Sequence, residues 1–264
     1  MTDKSLNKVL SVVDLSIGYK SKSTYMEVCK QVNFDLYAGE LIGLVGPNGI
    51  GKSTLIRTIC KVQPELGGSV LINRKDLKTY SQVDLARVLS LVLTDPLVTQ
   101  SLSVWEIVAL GRQPYTNWIG KITPKDKERI NSAIEITNIS KFLDKKAFEL
   151  SDGQLQKVMI ARALAQDTDL IILDEPTTHL DLHHKARILS LLKSMADNAK
   201  KCILFSSHEI DLCIEMCDKL IIMTNEGIKI NTPDQHISEG NFDKLFPSDL
   251  IEFDSDKKVY RVKK

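Results

Sequence analysis

The run Gly46-Pro47-Asn48-Gly49-Ile50-Gly51-Lys52-Ser53-Thr54 sets glycines, one lysine and two hydroxyls at the spacing G-x-x-x-x-G-K-[ST]. That pattern suits the cradling of a phosphate chain. Glycines let backbone N–H groups turn inward, Lys52 adds a mobile positive charge, and the Ser53 hydroxyl can ligate Mg²⁺. Downstream, Ile171-Ile172-Leu173 runs into Asp174 and Glu175. Two carboxylates at the end of a hydrophobic strand are what an NTPase needs: Asp174 to hold Mg²⁺, Glu175 to orient and deprotonate the attacking water. A third segment, Leu150-Ser151-Asp152-Gly153-Gln154, places Ser151 and Gln154 at capping-box spacing ahead of Leu155, Val158, Met159 and Ala163. A helix N-terminus opened there binds anions, so the segment reads either as an ordinary cap or as a second phosphate-contacting surface.

These residues need a scaffold that brings strand ends together. Val13, Leu15, Ile17 and Tyr19 alternate with polar neighbours, as do Val32, Phe34 and Leu36, which predicts half-buried antiparallel strands. Residues 41–45, 170–173, 202–205 and 220–223 are short apolar runs and suit fully buried parallel strands. Between them lie helical patterns, Leu55, Ile56, Ile59 and Cys60 after the first and Ile188, Leu189, Leu191 and Leu192 before the third. The alternation predicts an α/β sheet with its working residues at the carboxyl ends of the strands. The mostly helical stretch 95–165 interrupts it.

The 264 residues suffice to bury a large core without disulfide or metal staples. With 35 basic against 34 acidic residues the net charge is +1, so no global field attracts nucleic acid or anionic lipid, and phosphate binding must be local. Cys29, Cys60, Cys202, Cys213 and Cys217 form no CxxC pair and are expected as small core residues in a reducing compartment. No export signal and no membrane span is expected, so a membrane role requires docking onto another chain.

In their order, the P-loop, LSDGQ, LDEP and a late histidine resemble the nucleotide-binding subunit of ABC (ATP-binding cassette) transporters, over residues 15–227. The resemblance implies an α/β fold of the P-loop NTPase class with a RecA-like core, an N-terminal antiparallel β layer and an inserted helical subdomain. It implies a core of residues 1–94 and 166–230, a helical signature subdomain of 95–165 and an appendage of 231–264. Tyr19 matches the aromatic that stacks on adenine. Ser151, Asp152, Gly153 and Gln154 match the signature that contacts the γ-phosphate of the partner subunit's ATP, Asp181 matches the D-loop, and His208 the switch histidine. ATP and Mg²⁺ are the implied cofactors.

Two positions depart from the family's pattern. Asp152 stands where the family's LSGGQ has its first glycine, and Thr94 stands at the Q-loop glutamine. A threonine hydroxyl is too short to copy the amide's reach, so Thr94 is expected to act on Mg²⁺ through a water, with Asp95 turned toward a permease. His179, His183 and His184 include an i,i+4 pair, but no carboxylate or thiol set is seen to complete a metal site. Trp105 and Trp118 are expected to pack a helical segment against the main domain rather than to form a nucleic-acid platform.

The GRQPY segment and the run ALAQDTDLIILDEPTTHLDLHH look most like the subfamily that serves iron-siderophore, haem and cobalamin importers. That implies a homodimer beneath two membrane permease subunits, at the cytoplasmic face of the inner membrane, fed indirectly by a periplasmic binding protein. Two other readings stand beside it: an ABC ATPase with a non-transport role on ribosomes or DNA, and a nucleotide-binding regulatory module without turnover.

Overall fold

The computed structural model describes residues 7–21, 25–93, 100–246 and 250–263. Thr94 and Asp95 lie outside them. Two long strands open the chain, β1 (Lys8–Lys20) and β2 (Tyr25–Tyr37), followed by the short β3 (Leu41–Val45) and α1 (Lys52–Ile59). Next come β4 (Gly67–Ile72), β5 (Lys75–Asp76), α2 (Gln82–Leu85) and β6 (Leu89–Val92). The helices α3 (Val104–Ala109), α4 (Pro124–Thr137) and α5 (Asp152–Ala165) follow without an intervening strand. The chain then alternates through β7 (Leu170–Leu173), α6 (Leu182–Ala199), β8 (Cys202–Ser207), α7 (Ile210–Met216) and β9 (Lys219–Thr224). It closes with β10 (Gly227–Asn231), α8 (Pro233–Ser238) and the hairpin β11 (Ile251–Asp254) to β12 (Val259–Val262).

The strands form a six-stranded sheet in the order β10-β9-β3-β8-β7-β6 and an antiparallel sheet in the order β2-β1-β4-β5. Within the larger sheet β3 pairs in parallel with both β8 and β9, and β7 with both β6 and β8. Its strands read as unbroken apolar runs because both faces are covered. Ile42, Leu44, Ile172, Leu204 and Ile221 enter the core shared with the antiparallel sheet and α1, whereas Leu41, Val45, Ile171, Leu173 and Phe205 enter the core under α5 and α6. The period-two alternation of a strand therefore supplies both cores from one set of residues.

One alternation slips. Val13 is 41% exposed while Val12, Leu15 and Ile17 are buried, so Val13 does not share the inner face with Leu15 as its spacing suggests. A register shift falls between Val12 and Leu15, where Asp14 takes a positive φ of 46°. An extra residue in one strand reverses the parity beyond it. Asn33 of β2 clasps the bulge, accepting from the Asp14 amide and donating to the Asp14 carboxylate, both at 2.9 Å.

Trp118 corrects a second expectation. It is 94% exposed, and only Trp105 packs against the core. Arg112 of the same segment is instead the buried one. It makes a 2.9 Å ion pair with Asp126 at the start of α4 and donates to the Ala165 carbonyl at the end of α5. Four cysteines are buried and Cys29 is half-buried, all as free thiols. Burial pushes the thiols of Cys60 and Cys202 far up, away from reactivity. Among the described residues no helix is long and apolar enough to cross a membrane.

The C-terminal region is tied down by its aromatic rings and one buried imidazole. Phe253 stacks on Phe242, and Tyr260 packs edge-on to both Phe246 and Phe253. His236 of α8 donates through Nε2 to the Leu220 carbonyl of β9 and accepts at Nδ1 from Asn241. Burial holds its pKa below the usual histidine range, which keeps this neutral tautomer.

Candidate nucleotide site

The loop after β3 is shaped by glycines. Gly49 has φ 77° and Gly51 φ 112°, in the left-handed region that side chains rarely adopt. At Gly51 a Cβ would also lie 2.3 Å from Val28 Cγ1. The loop leads straight into the N-terminus of α1, so backbone N–H groups and the positive end of the helix dipole face one space. Lys52 is folded back over the loop, its Nζ donating to the carbonyls of Gly46 at 2.7 Å and Pro47 at 3.1 Å. Burial lowers its pKa, while Glu175 and Asp174 pull in the opposite direction. Tyr19, at the far end of β1, is 47% exposed, and its hydroxyl lies 2.9 Å from Thr54 Oγ1. That contact brings the ring to the first turn of α1.

The two carboxylates stand where β7 ends, beside the ends of β3 and β8. Asp174 Oδ1 accepts from Ser53 Oγ at 3.3 Å and from Ser206 Oγ at 2.6 Å. Ser206 in turn accepts the Glu175 amide at 2.8 Å. Glu175 itself sits at φ 49°, a left-handed conformation that costs a non-glycine residue about 1–3 kcal/mol and that clusters at functional sites. The turn sends the Glu175 side chain to Thr178, which donates to Oε2 at 3.1 Å, and to His208, whose Nδ1 lies 3.4 Å from Oε1. Lys52, Ser53, Asp174, Glu175 and His208 are thus gathered at one crevice outside the carboxyl ends of adjacent parallel strands, the usual ligand position in such sheets.

Ser206 was not singled out from the sequence. It is fully buried in β8 and joins the Asp174 carboxylate to the strained turn at Glu175. The available signal was a hydroxyl two residues before His208, at a strand end.

A second group forms around α5 and α6. Ser151 caps α5, accepting from the Gln154 amide, while the Gln154 side chain accepts from the Ser151 amide. Ser151 and Asp152 are exposed and Gly153 is buried. A Cβ on Gly153 would meet His184 Cδ2 at 2.9 Å and Leu180 Cδ2 at 3.6 Å. Asp181 caps α6, taking the His184 amide at 2.8 Å, and both its oxygens lie 2.9 Å from His184 Nδ1. The His184 amide and ring hold the Asp181 carboxyl below its usual range. The i,i+4 pair His179 and His183 is not completed by a carboxylate or thiol among the described residues, but a different set, Asp181, His183 and His184, brings ligand atoms within 4.8 Å of one another. The reason is the cap, which turns Asp181 back over the first turn of its own helix.

Residues 29–178 match the family model for ABC transporters. An uncharacterized ABC transporter ATP-binding protein of Methanocaldococcus jannaschii is 37% identical over 220 residues, 83% of this chain and 74% of the relative. The iron(3+)-hydroxamate import ATP-binding protein of Bacillus subtilis is 32% identical over 232 residues, 85% of each chain. Among solved structures, an ABC transporter assigned to the metal-chelate type and facing inward superposes with a TM-score of 0.78 at 28% identity, over 91% of this chain and 90% of that one. With a phosphate loop, paired carboxylates and a histidine assembled at the carboxyl ends of adjacent strands, the chain belongs to the ABC transporter family as an ATP-hydrolysing, ATP-binding subunit.

Proposed function

We propose that two copies of this chain sandwich two ATP molecules and drive an importer of iron-siderophore, haem or cobalamin chelates at the cytoplasmic face of the inner membrane. The observation that carries it is the hydrogen-bonded chain from Ser53 through Asp174 and Ser206 to Glu175, with His208 Nδ1 3.4 Å from the Glu175 carboxylate. In this reading Gly46, Pro47, Asn48, Gly49, Gly51, Lys52, Ser53 and Thr54 hold the phosphates and Tyr19 stacks on the adenine. Ser53 and Asp174 converge as hard oxygen donors, which fits Mg²⁺ with waters completing its shell. Glu175 draws the proton from the attacking water and His208 contacts the γ-phosphate. Ser151, Asp152, Gly153, Gln154 and Asp181 meet the ATP of the partner copy from across the dimer.

The same reading divides the chain into a core of 1–94 and 166–230, a helical signature subdomain of 95–165 and an appendage of 231–264. A cleft of about 660 Å³ lies where Val83 and Ala86 face Leu110, Trp118 and Arg162. Val83, Leu110 and Trp118 are exposed apolar side chains on it, and we assign it to the permease subunits. A periplasmic binding protein delivers the chelate to the permease and does not touch this subunit.

The decisive experiment is reconstitution of the chain with membrane permease subunits in proteoliposomes. Uptake of one labelled chelate should then require Mg-ATP and should stop with Lys52→Ala. ATP hydrolysis without uptake of any of the three chelate classes would reject the importer assignment while leaving the ATPase in place.

A further inference from the structure

Outside the phosphate crevice, three metal-ligating side chains converge at the start of α6. One carboxylate oxygen of Asp181 and one ring nitrogen each of His183 and His184 lie within 4.8 Å of one another, and among the described residues no other trio of His, Cys, Asp or Glu does so. Three atoms so spaced share a centre no more than about 2.8 Å from each, against zinc–nitrogen and zinc–oxygen bonds of about 2.0–2.2 Å. Movements of at most about 0.8 Å per ligand atom close the set. The Asp181–His184 hydrogen bond explains two of its members. His183 is exposed, with its ring edge-on to His184 at 5.7 Å between centroids, so its place beside the other two is not a packing requirement.

The donor types choose the cation. Two imidazoles with one carboxylate suit Zn²⁺, Ni²⁺, Co²⁺ or Cu²⁺ and leave Mg²⁺, which takes oxygen ligands, at its own site. The N-terminal end of the α6 dipole opposes a cation there, and the Asp181 carboxylate offsets it. With three protein ligands, water from the solvent side completes the coordination shell.

Binding would have a consequence for turnover. Asp181 caps α6, and the His184 ring occupies the space next to Gly153 of the signature helix. A metal that takes the Asp181 oxygens and re-aims the His184 ring disturbs both at once. We propose that Asp181, His183 and His184 form a reversible zinc-class metal site whose occupation restrains ATP hydrolysis. The site itself stands on the geometry alone; the restraint rests on the reading of Asp181 and Gly153 as residues that face the partner's ATP.

The test titrates Zn²⁺ into the full chain against a chromogenic chelator and compares wild type with His183→Ala. Wild type should bind one equivalent more per chain, a difference that cancels any zinc held by the cysteines or the other histidines. Phosphate release from Mg-ATP should be the same for both proteins without zinc. Added Zn²⁺ should suppress it at least several-fold in wild type only, and a zinc-selective chelator that spares Mg²⁺ should restore it. Equal zinc stoichiometry in the two proteins, or equal inhibition of both, overturns the proposal. A wild-type chain that never hydrolyses ATP would instead reject the functional reading, and the zinc stoichiometry would still decide the site.

Discussion

His208 Nδ1 stands 3.4 Å from Glu175 Oε1, joining the loop after β8 to the turn after β7. The pairing depends on the left-handed backbone of Glu175 at φ 49°, which turns the carboxylate out of the strand direction. It depends also on Ser206, whose hydroxyl takes the Glu175 amide and gives its own proton to Asp174. Glu175 and Asp174 are therefore joined through one serine hydroxyl, with His208 in close approach to Glu175.

Glu175→Gln keeps the phosphate cradle and removes the base. The variant is expected to bind Mg-ATP, to hydrolyse it at least a hundredfold more slowly, and to accumulate as a closed dimer. Size-exclusion chromatography with and without Mg-ATP reads the dimer. A variant that stays monomeric with ATP, or turns over at the parental rate, would count against both the role of Glu175 and the sandwich.

Ser206→Ala removes one hydroxyl that serves two partners. The Glu175 amide loses its acceptor inside a buried setting, a loss of about 1–3 kcal/mol, and Asp174 loses its shorter hydrogen bond. The expected result is a roughly tenfold fall in kcat with little change in the KM for ATP, because the phosphate loop is untouched. Ser206→Thr, which keeps the hydroxyl, should recover part of the rate. An unaltered kcat in Ser206→Ala would show that the turn holds its shape without the bridge.

Gly153→Ala tests the contact between the signature helix and α6. Alanine favours a helix over glycine by about 1 kcal/mol, but its Cβ would stand 2.9 Å from His184 Cδ2, and the Asp181 carboxylate restrains that ring. In the native background the substitution should lower ATPase activity several-fold through overpacking. In a His184→Ala background it should do no harm. A double-mutant cycle measures the coupling, and additive effects would rule the contact out as the cause.

Asp126 and Arg112 carry a stability prediction with a pH signature. Their side chains are 4% exposed and 2.9 Å apart. Burial raises the Asp126 pKa, but the Thr123 hydroxyl, the Thr123 amide and Arg112 outweigh it and leave the carboxyl below its usual range. A depressed folded value means that the contribution is fully present above the unfolded pKa of about 3.9 and is lost as pH falls through the folded value beneath it. Asp126→Asn strands the Arg112 charge and should cost about 3–5 kcal/mol at pH 7. Urea denaturation across pH 2–7 should also show a shallower acid limb for the variant, and a parallel limb would place the acid sensitivity elsewhere.

What the sequence by itself determined is the chemistry carried by contiguous residues. The loop from Gly46 to Thr54, the carboxylates after Leu173 and the capping box at Ser151 were legible because strand, loop and cap each depend on neighbours a few positions away. The buried parallel strands were legible for the same reason, since unbroken apolar runs have few other places to go. Tertiary structure decided the relations between segments. Asn33 clasps Asp14 and so reverses the facing of Val13, and no periodicity announces a bulge whose anchor lies on another strand. Trp118 stands in solvent at a cleft wall while Arg112 is buried, because the arginine finds Asp126 and the Ala165 carbonyl on α4 and α5. Ser206 beneath Glu175, and His184 against Gly153, exist only once β7 lies beside β8 and the N-terminal ends of α5 and α6 meet. Each is a short-range contact between residues distant in the chain, and its strength falls away within an ångström or two, so only the packed arrangement of the elements can select it.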